Sequence, residues 1–153
     1  MERFIAIQQD DFNVQAEYDA LCKSNSTDGA VVFFVGRVRD TNVGDDVVKM
    51  VLEHYPAMTE SVLNDIVVEA GKRWQLSRVR VIHRYGPLSP SDQIVFVATS
   101  SPHRESAFLG AQFIMDFLKT QAPFWKKETT SEGERWVEAK ADDEEKAFSW
   151  EKP

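Results

Sequence analysis

The sequence contains a single cysteine, Cys22, which excludes an internal disulfide and fits a reducing compartment. Its seven glycines are scattered, so there is no glycine-rich phosphate loop of the P-loop or dinucleotide type. Neither CxxC nor HExxH occurs. His54, His83 and His103 are far apart and none sits at a metal-ligand spacing, so no metal site and no resident cofactor are expected. No apolar run is long enough to span a membrane. The first ten residues lack a basic start followed by an apolar stretch, so no secretory signal is expected; with the lone cysteine, the expected location is a reducing cytoplasm. Basic residues are outnumbered, 18 against 25, for a net charge of −7. That balance disfavours general nucleic-acid binding, which needs a basic footprint.

The 153 residues are 42% hydrophobic, enough for one domain over 1–153 with a real core. No repeat or low-complexity linker divides it. Arg3 to Gln8 fits a short strand. Val14, Tyr18, Leu21 and Cys22 place a helix over residues 13–23; Cys22 lies on its apolar face and is read as a packing residue. Ala30 to Val35 is a continuous apolar run and predicts a buried strand. A polar loop over residues 40–46 precedes a strand over 47–55. Met58, Val62, Ile66, Val67 and Ala70 then mark a second helix. Residues 78–84 alternate, with Val79, Val81 and His83 on one face, so His83 is expected to be a hydrogen-bonded structural histidine, and His54 similarly. Residues 86–92 read as a turn region and 94–98 as a second buried strand. Ser101 and Pro102 look like a helix start, and Pro123 ends that helix near residue 121. Residues 124–128 and 135–138 suggest a hairpin. The tail from about 141 is acidic and is expected to be loosely held. Short connections between neighbouring strands favour antiparallel pairing, giving an α+β fold.

The third helix is apolar nearly all round from Ala107 to Leu118, with only Gln112 and Asp116 polar. Such a helix must be covered on several sides, by the core or by a second subunit. Positive charge concentrates along and just after it. Residues 101–127 carry Arg104, Lys119, Lys126 and Lys127 against Glu105 and Asp116, whereas the rest holds 14 basic and 23 acidic residues. Arg37 and Arg39 form a smaller cluster at a strand end. His103 and Arg104 occupy the helix start, where free N–H groups and the helix dipole favour an anion. Lys119 shares a face with Gln112 and Asp116. In a strand, Lys126 and Lys127 must point to opposite sides. His103 and Lys119 are roughly 24 Å apart at 1.5 Å per residue. One small substrate cannot touch both within one chain, so a shared site would be built across a homodimer.

Several segments carry a resemblance: 34–39 (FVGRVR), 52–58 (LEHYPAM), 81–86 (VIHRYG), His103-Arg104, 113–120 (FIMDFLKT) and 122–128 (APFWKKE). By these the chain resembles the large, catalytic subunits of molybdopterin synthase, over about residues 3–150. The resemblance implies an α/β hammerhead with a mainly antiparallel sheet and an added small β subdomain. It implies a sulfurtransferase of molybdenum cofactor biosynthesis, which converts cyclic pyranopterin monophosphate (precursor Z) to molybdopterin. Sulfur would arrive as a thiocarboxylate on the C-terminus of a small ubiquitin-like subunit. Large subunits would pair as a homodimer within a heterotetramer. Lys119 and Lys126 match the family's catalytic lysines, and Arg39, His103 and Arg104 its substrate-binding residues. Lys127 and Lys140 are secondary candidates; at Lys140 an arginine is expected in some relatives, and lysine loses the bidentate grip on phosphate.

Overall fold

The computed structural model describes residues 1–42, 45–54, 56–122, 124–130, 132–137 and 141–151. The elements run β1 (Glu2–Gln8), α1 (Val14–Cys22), β2 (Ala30–Arg37), β3 (Thr41–Asn42), β4 (Asp45–His54), α2 (Pro56–Arg73), β5 (Arg78–Arg84), β6 (Gly86–Leu88), β7 (Gln93–Ser101), α3 (Arg104–Gln121), β8 (Phe124–Thr130), β9 (Gly133–Val137) and α4 (Ala141–Ser149). They form two sheets, so the α+β expectation holds.

The first sheet has the order β1-β5-β7-β2. Its pairings are antiparallel except β1 with β5. Strand alternation divides its side chains cleanly. Val79, Val81, Val95 and Val97 face Leu63, Ile66, Val67 and Ala70 of α2 and Phe113, Ile114, Phe117 and Leu118 of α3. Ile82, Phe96 and Ala98 face the other way, onto Phe12 and onto Leu21 of α1. Because helices cover both faces, the central strand β7 is apolar on both, which is why residues 94–98 read as an unbroken hydrophobic run.

The second sheet has the order β3-β4-β8-β9, with β6 also paired to β4. All its pairings are antiparallel. Met50, Leu52 and Leu88 form a small core with Val38, against Tyr85 and Ile94. Gly86 sits where the chain leaves β5 for β6 and so passes from one sheet to the other. Its φ of +88° is a conformation that glycine adopts without a Cβ clash.

Several expectations from the sequence are corrected. Ala30 to Val35 is not a buried strand: β2 lies at the edge of the first sheet, and Phe33 and Phe34 are each 44% exposed. The 86–92 stretch is not all turn, because residues 86–88 pair with β4. Ser101 and Pro102 do not start α3. Ser101 ends β7, and its Oγ accepts the His103 N–H at 3.1 Å, which makes His103 the N-cap. The acidic tail is not loose: α4 packs on α3 through buried Ala147, and Trp150 sits edge-on to Trp74 and Phe113. Helix α3 is chiefly a core helix. Seven of its residues are buried, while Phe108 is 61% exposed.

Candidate functional site

The two lysines with the most specific sequence context come from different elements. Lys119 lies in the last turn of α3 and is exposed. The helix ends at Ala122, which is extended (ψ 130°) and precedes a proline, a position that disfavours helical backbone. The Phe124 N–H then donates to the Ala122 carbonyl at 2.8 Å and the chain enters β8. Lys126 is the third residue of that strand and is half-buried.

Lys126 and Lys127 diverge, as strand geometry requires. The Lys127 ammonium pairs with Glu134 at 2.9 Å and lies 5.8 Å from the Trp136 ring centroid, so it faces the β8–β9 hairpin. Lys126 is on the side of Phe124, facing β5. Both Lys119 and Lys126 bring positive charge to bear on one side chain there, His83.

His83 is 5% exposed. Its Nδ1 lies 2.7 Å from the Arg84 carbonyl oxygen. A carbonyl only accepts, so Nδ1 carries the hydrogen and the tautomer is fixed. Burial pushes the His83 pKa down to about 3, and the charges of Lys119, Lys126 and His54 push the same way. The ring is therefore neutral. It stacks on Phe124 with centroids 3.7 Å apart and planes 15° from parallel. Phe124 in turn lies 5.8 Å from His54, whose ring is 4.3 Å from Tyr85. Burial also lowers the His54 pKa, and the His54 Nδ1 has no hydrogen-bond partner among the described residues. The expectation of a hydrogen-bonded structural histidine thus holds for His83. The series of rings, which runs from one sheet into the other, was not visible in sequence. Its members, strand residues from β4, β5 and β8 with Tyr85 just after β5, are brought together only by folding. The sole local signal was His83 on the apolar face of an alternating strand.

The remaining candidates sit elsewhere on the chain. Arg39 is exposed, just beyond β2. His103 and Arg104 are exposed at the start of α3, where His103 makes no side-chain cap and leaves the first turn's N–H groups open to an anion. One α3 helix separates them from Lys119, so within one chain they do not meet. Lys140 lies outside the described residues. Asp116, on the Lys119 face, accepts the Trp150 indole N–H at 2.7 Å and so is held by α4. A cavity of about 200 Å³ opens beside the rings, lined by Ile5, Ile7, His54, Pro56, Glu60 and Tyr85. Its charged lining group is a carboxylate, which makes it a poor seat for an anion. Among the described residues, no three His, Cys, Asp or Glu side chains converge as a metal site, and no helix is long and apolar enough to cross a membrane.

The arrangement offers cations for anionic ligands and two lysines whose charge bears on a neutral, buried ring. Known proteins share both the sequence and the fold. The sequence profile of the family described as MoaE protein matches residues 7–121. The chain is 52% identical over 151 residues to the molybdopterin synthase catalytic subunit of Vibrio cholerae, covering 99% of this chain and 100% of that one. It is 54% identical over 149 residues to the Escherichia coli protein of the same name, covering 97% and 99%. The solved molybdopterin biosynthesis MoaE protein from Burkholderia ambifaria superposes with a TM-score of 0.84 at 50% identity, covering all of both chains. With that profile matched over residues 7–121, and with such identity over nearly its full length, the chain belongs to the MoaE family.

Proposed function

We propose that this chain is the catalytic subunit of a molybdopterin synthase, a sulfurtransferase acting in the cytoplasm. It converts precursor Z to molybdopterin with sulfur from the thiocarboxylated C-terminus of a small ubiquitin-like subunit. The observation that carries this reading is the placement of Lys119 and Lys126. They stand on separate elements joined by one tight turn, and both direct charge toward His83.

Both ligands are anions, a cyclic phosphate and a thiocarboxylate. A pocket of Arg39, His103, Arg104, Lys119 and Lys126 would attract and orient them despite the net −7. The thiocarboxylate sulfur bonds to a pterin side-chain carbon as an oxygen leaves it, and water then cleaves the acyl C–S bond and returns the tail as a carboxylate; Lys119 holds the tail's carbonyl and stabilises the charge that develops there. Lys126 moves protons as pterin oxygens depart. No cysteine is needed, because the sulfur belongs to the partner; Cys22 is a half-buried residue of α1, remote in the fold from β8. Since α3 keeps His103 and Arg104 away from Lys119, each pocket takes the former from one chain and the latter from its twin, in a large-subunit homodimer within a heterotetramer.

The test mixes the purified chain with precursor Z and a thiocarboxylated small subunit and measures molybdopterin, with Lys119→Ala in parallel. Product from the wild type and a large loss in the variant support the reading. A stable complex that forms no product would make the chain a non-catalytic adaptor.

A further inference from the structure

We propose that His83 is a positioning residue for the lysine pair: its ring, stacked on Phe124, holds the α3–β8 junction so that Lys119 and Lys126 face one space. The inference rests on the synthase reading for its consequence in catalysis, but not for its geometry.

The junction is short. Lys119 stands five residues before Phe124, and Lys126 two residues after it. Phe124 and Lys126 share a face of β8 by strand alternation. Whatever holds the Phe124 ring therefore bears on the strand that carries Lys126 and on its placement relative to Lys119. Two rings do so. His54 is the register partner of Phe124 across β4 and β8 and belongs to the same sheet. His83 belongs to the other sheet and is the closer of the two, with a 3.7 Å centroid separation. Phe117, Leu118 and Ala122 hold the helical side of the junction to the main core, and His83 adds a tie at its β8 side, on the same β5 face as Val79 and Val81.

An imidazole suits this task in a way a plain apolar ring does not. Its Nδ1–H is bonded to the Arg84 carbonyl at 2.7 Å, which fixes the plane of the ring. Phe124 is then held at a set angle as well as a set distance. Burial and the two ammonium charges keep the imidazole uncharged, so it adds no third cation between the lysines. Misplacing reacting groups by about 1 Å can cost on the order of 100-fold in rate. A device that sets their spacing is therefore expected to show in kcat.

The experiment uses the complete enzyme, this chain with its thiocarboxylated partner, in wild-type, His83→Ala, His83→Phe and Phe124→Leu forms. Each is measured for kcat, for KM toward precursor Z, for thermal unfolding, and for acylation of Lys119 and Lys126 relative to exposed Lys72 by peptide mapping. His83→Ala is expected to lower kcat by about 10-fold or more with KM within about 2-fold. It should also change the acylation ratio of Lys119 to Lys126. His83→Phe keeps a ring against Phe124 but loses the bond to the Arg84 carbonyl, and is expected to restore both only in part. A folded His83→Ala with wild-type kcat and wild-type labelling overturns the proposal. Should that variant not fold, Phe124→Leu decides in its place: it removes the stack and keeps apolar bulk, and wild-type values in a folded protein overturn the proposal equally. If the wild-type enzyme makes no molybdopterin, it is the synthase reading that fails, and the labelling ratio still tests the positioning.

Discussion

Trp150 donates its indole N–H to Asp116 across 2.7 Å, and so fastens the last helix to the helix that ends in Lys119. Asp116 lies one turn before that lysine. Trp150→Phe keeps an aromatic ring against Trp74 and Phe113 and leaves a half-buried carboxylate without its donor. The expected cost is about 1–2 kcal/mol, read as a lower urea midpoint with an unchanged slope.

Lys119→Ala and Lys126→Ala are expected to separate activity from stability. Lys119 is exposed, so its removal should change the unfolding free energy by under ~0.5 kcal/mol. Loss of a group that stabilises developing charge should cost on the order of 100-fold or more in kcat. A rate within about 3-fold of wild type would remove Lys119 from the site.

Mixed dimers test the shared pocket. Arg104→Ala and Lys119→Ala homodimers should each be nearly inactive. Exchange between them should return roughly a quarter of wild-type activity, because half of the dimers are mixed and each of those has one intact pocket. Failure to recover any activity under conditions where subunits exchange would place both residues in one pocket within a chain; active homodimers would place them outside it.

Acid should destabilise the fold through His83. Its pKa in the folded chain is about 3 against an ordinary 6.5. Above pH 6.5 both folded and unfolded forms are neutral there. As pH falls through 6.5 the unfolded chain takes a proton that the folded chain refuses, so stability declines down to about pH 3. The slope from this one group approaches ~1.4 kcal/mol per pH unit. His54, also lowered by burial, contributes with the same sign. Asp11, whose pKa is lowered by a hydrogen bond from Gln93, acts only at more acid pH. Urea midpoints from about pH 5 to 6.5 should fall steeply in the wild type and less steeply in His83→Phe. Equal slopes would show that His83 protonates in the fold.

Gly110 is buried in α3, where an added Cβ would lie 2.8 Å from one Leu76 methyl carbon and 2.9 Å from the other. Alanine would gain about 1 kcal/mol in helix propensity. Leu76 is itself buried and has little room to yield, so overpacking should outweigh the gain and leave a net loss of about 1–2 kcal/mol. Adding Leu76→Val should recover part of it. A more stable Gly110→Ala protein would mean that Leu76 moves aside freely.

The features legible in the sequence were those written in local patterns. The unbroken apolar run 94–98 marked β7 because that strand is covered on both faces. The alternation of 78–84 marked β5, and with it the buried His83. Lys126 and Lys127 were separated by strand alternation alone. The features missed depend on tertiary partners. Helix α4 is polar in composition, and its hold on α3 rests on Ala147 and Trp150. Gly86–Leu88 pairs with a strand more than thirty residues earlier, and its glycine and proline read locally as a turn. The stack of His83 on Phe124 joins residues forty-one positions apart, and no periodicity encodes such a pair.

Helix α3 carries His103 and Arg104 at its start and Lys119 in its last turn, with seven buried residues between them. It is a single rod packed against β7, β2, α2 and α4. In the paired assembly proposed above, each rod supplies one end to each of two pockets. The two pockets are therefore linked through a shared helix, and a ligand that displaced one end would act on the other. Cooperativity between the two halves of the enzyme would then come from the stiffness of a single helix, with no mobile loop required.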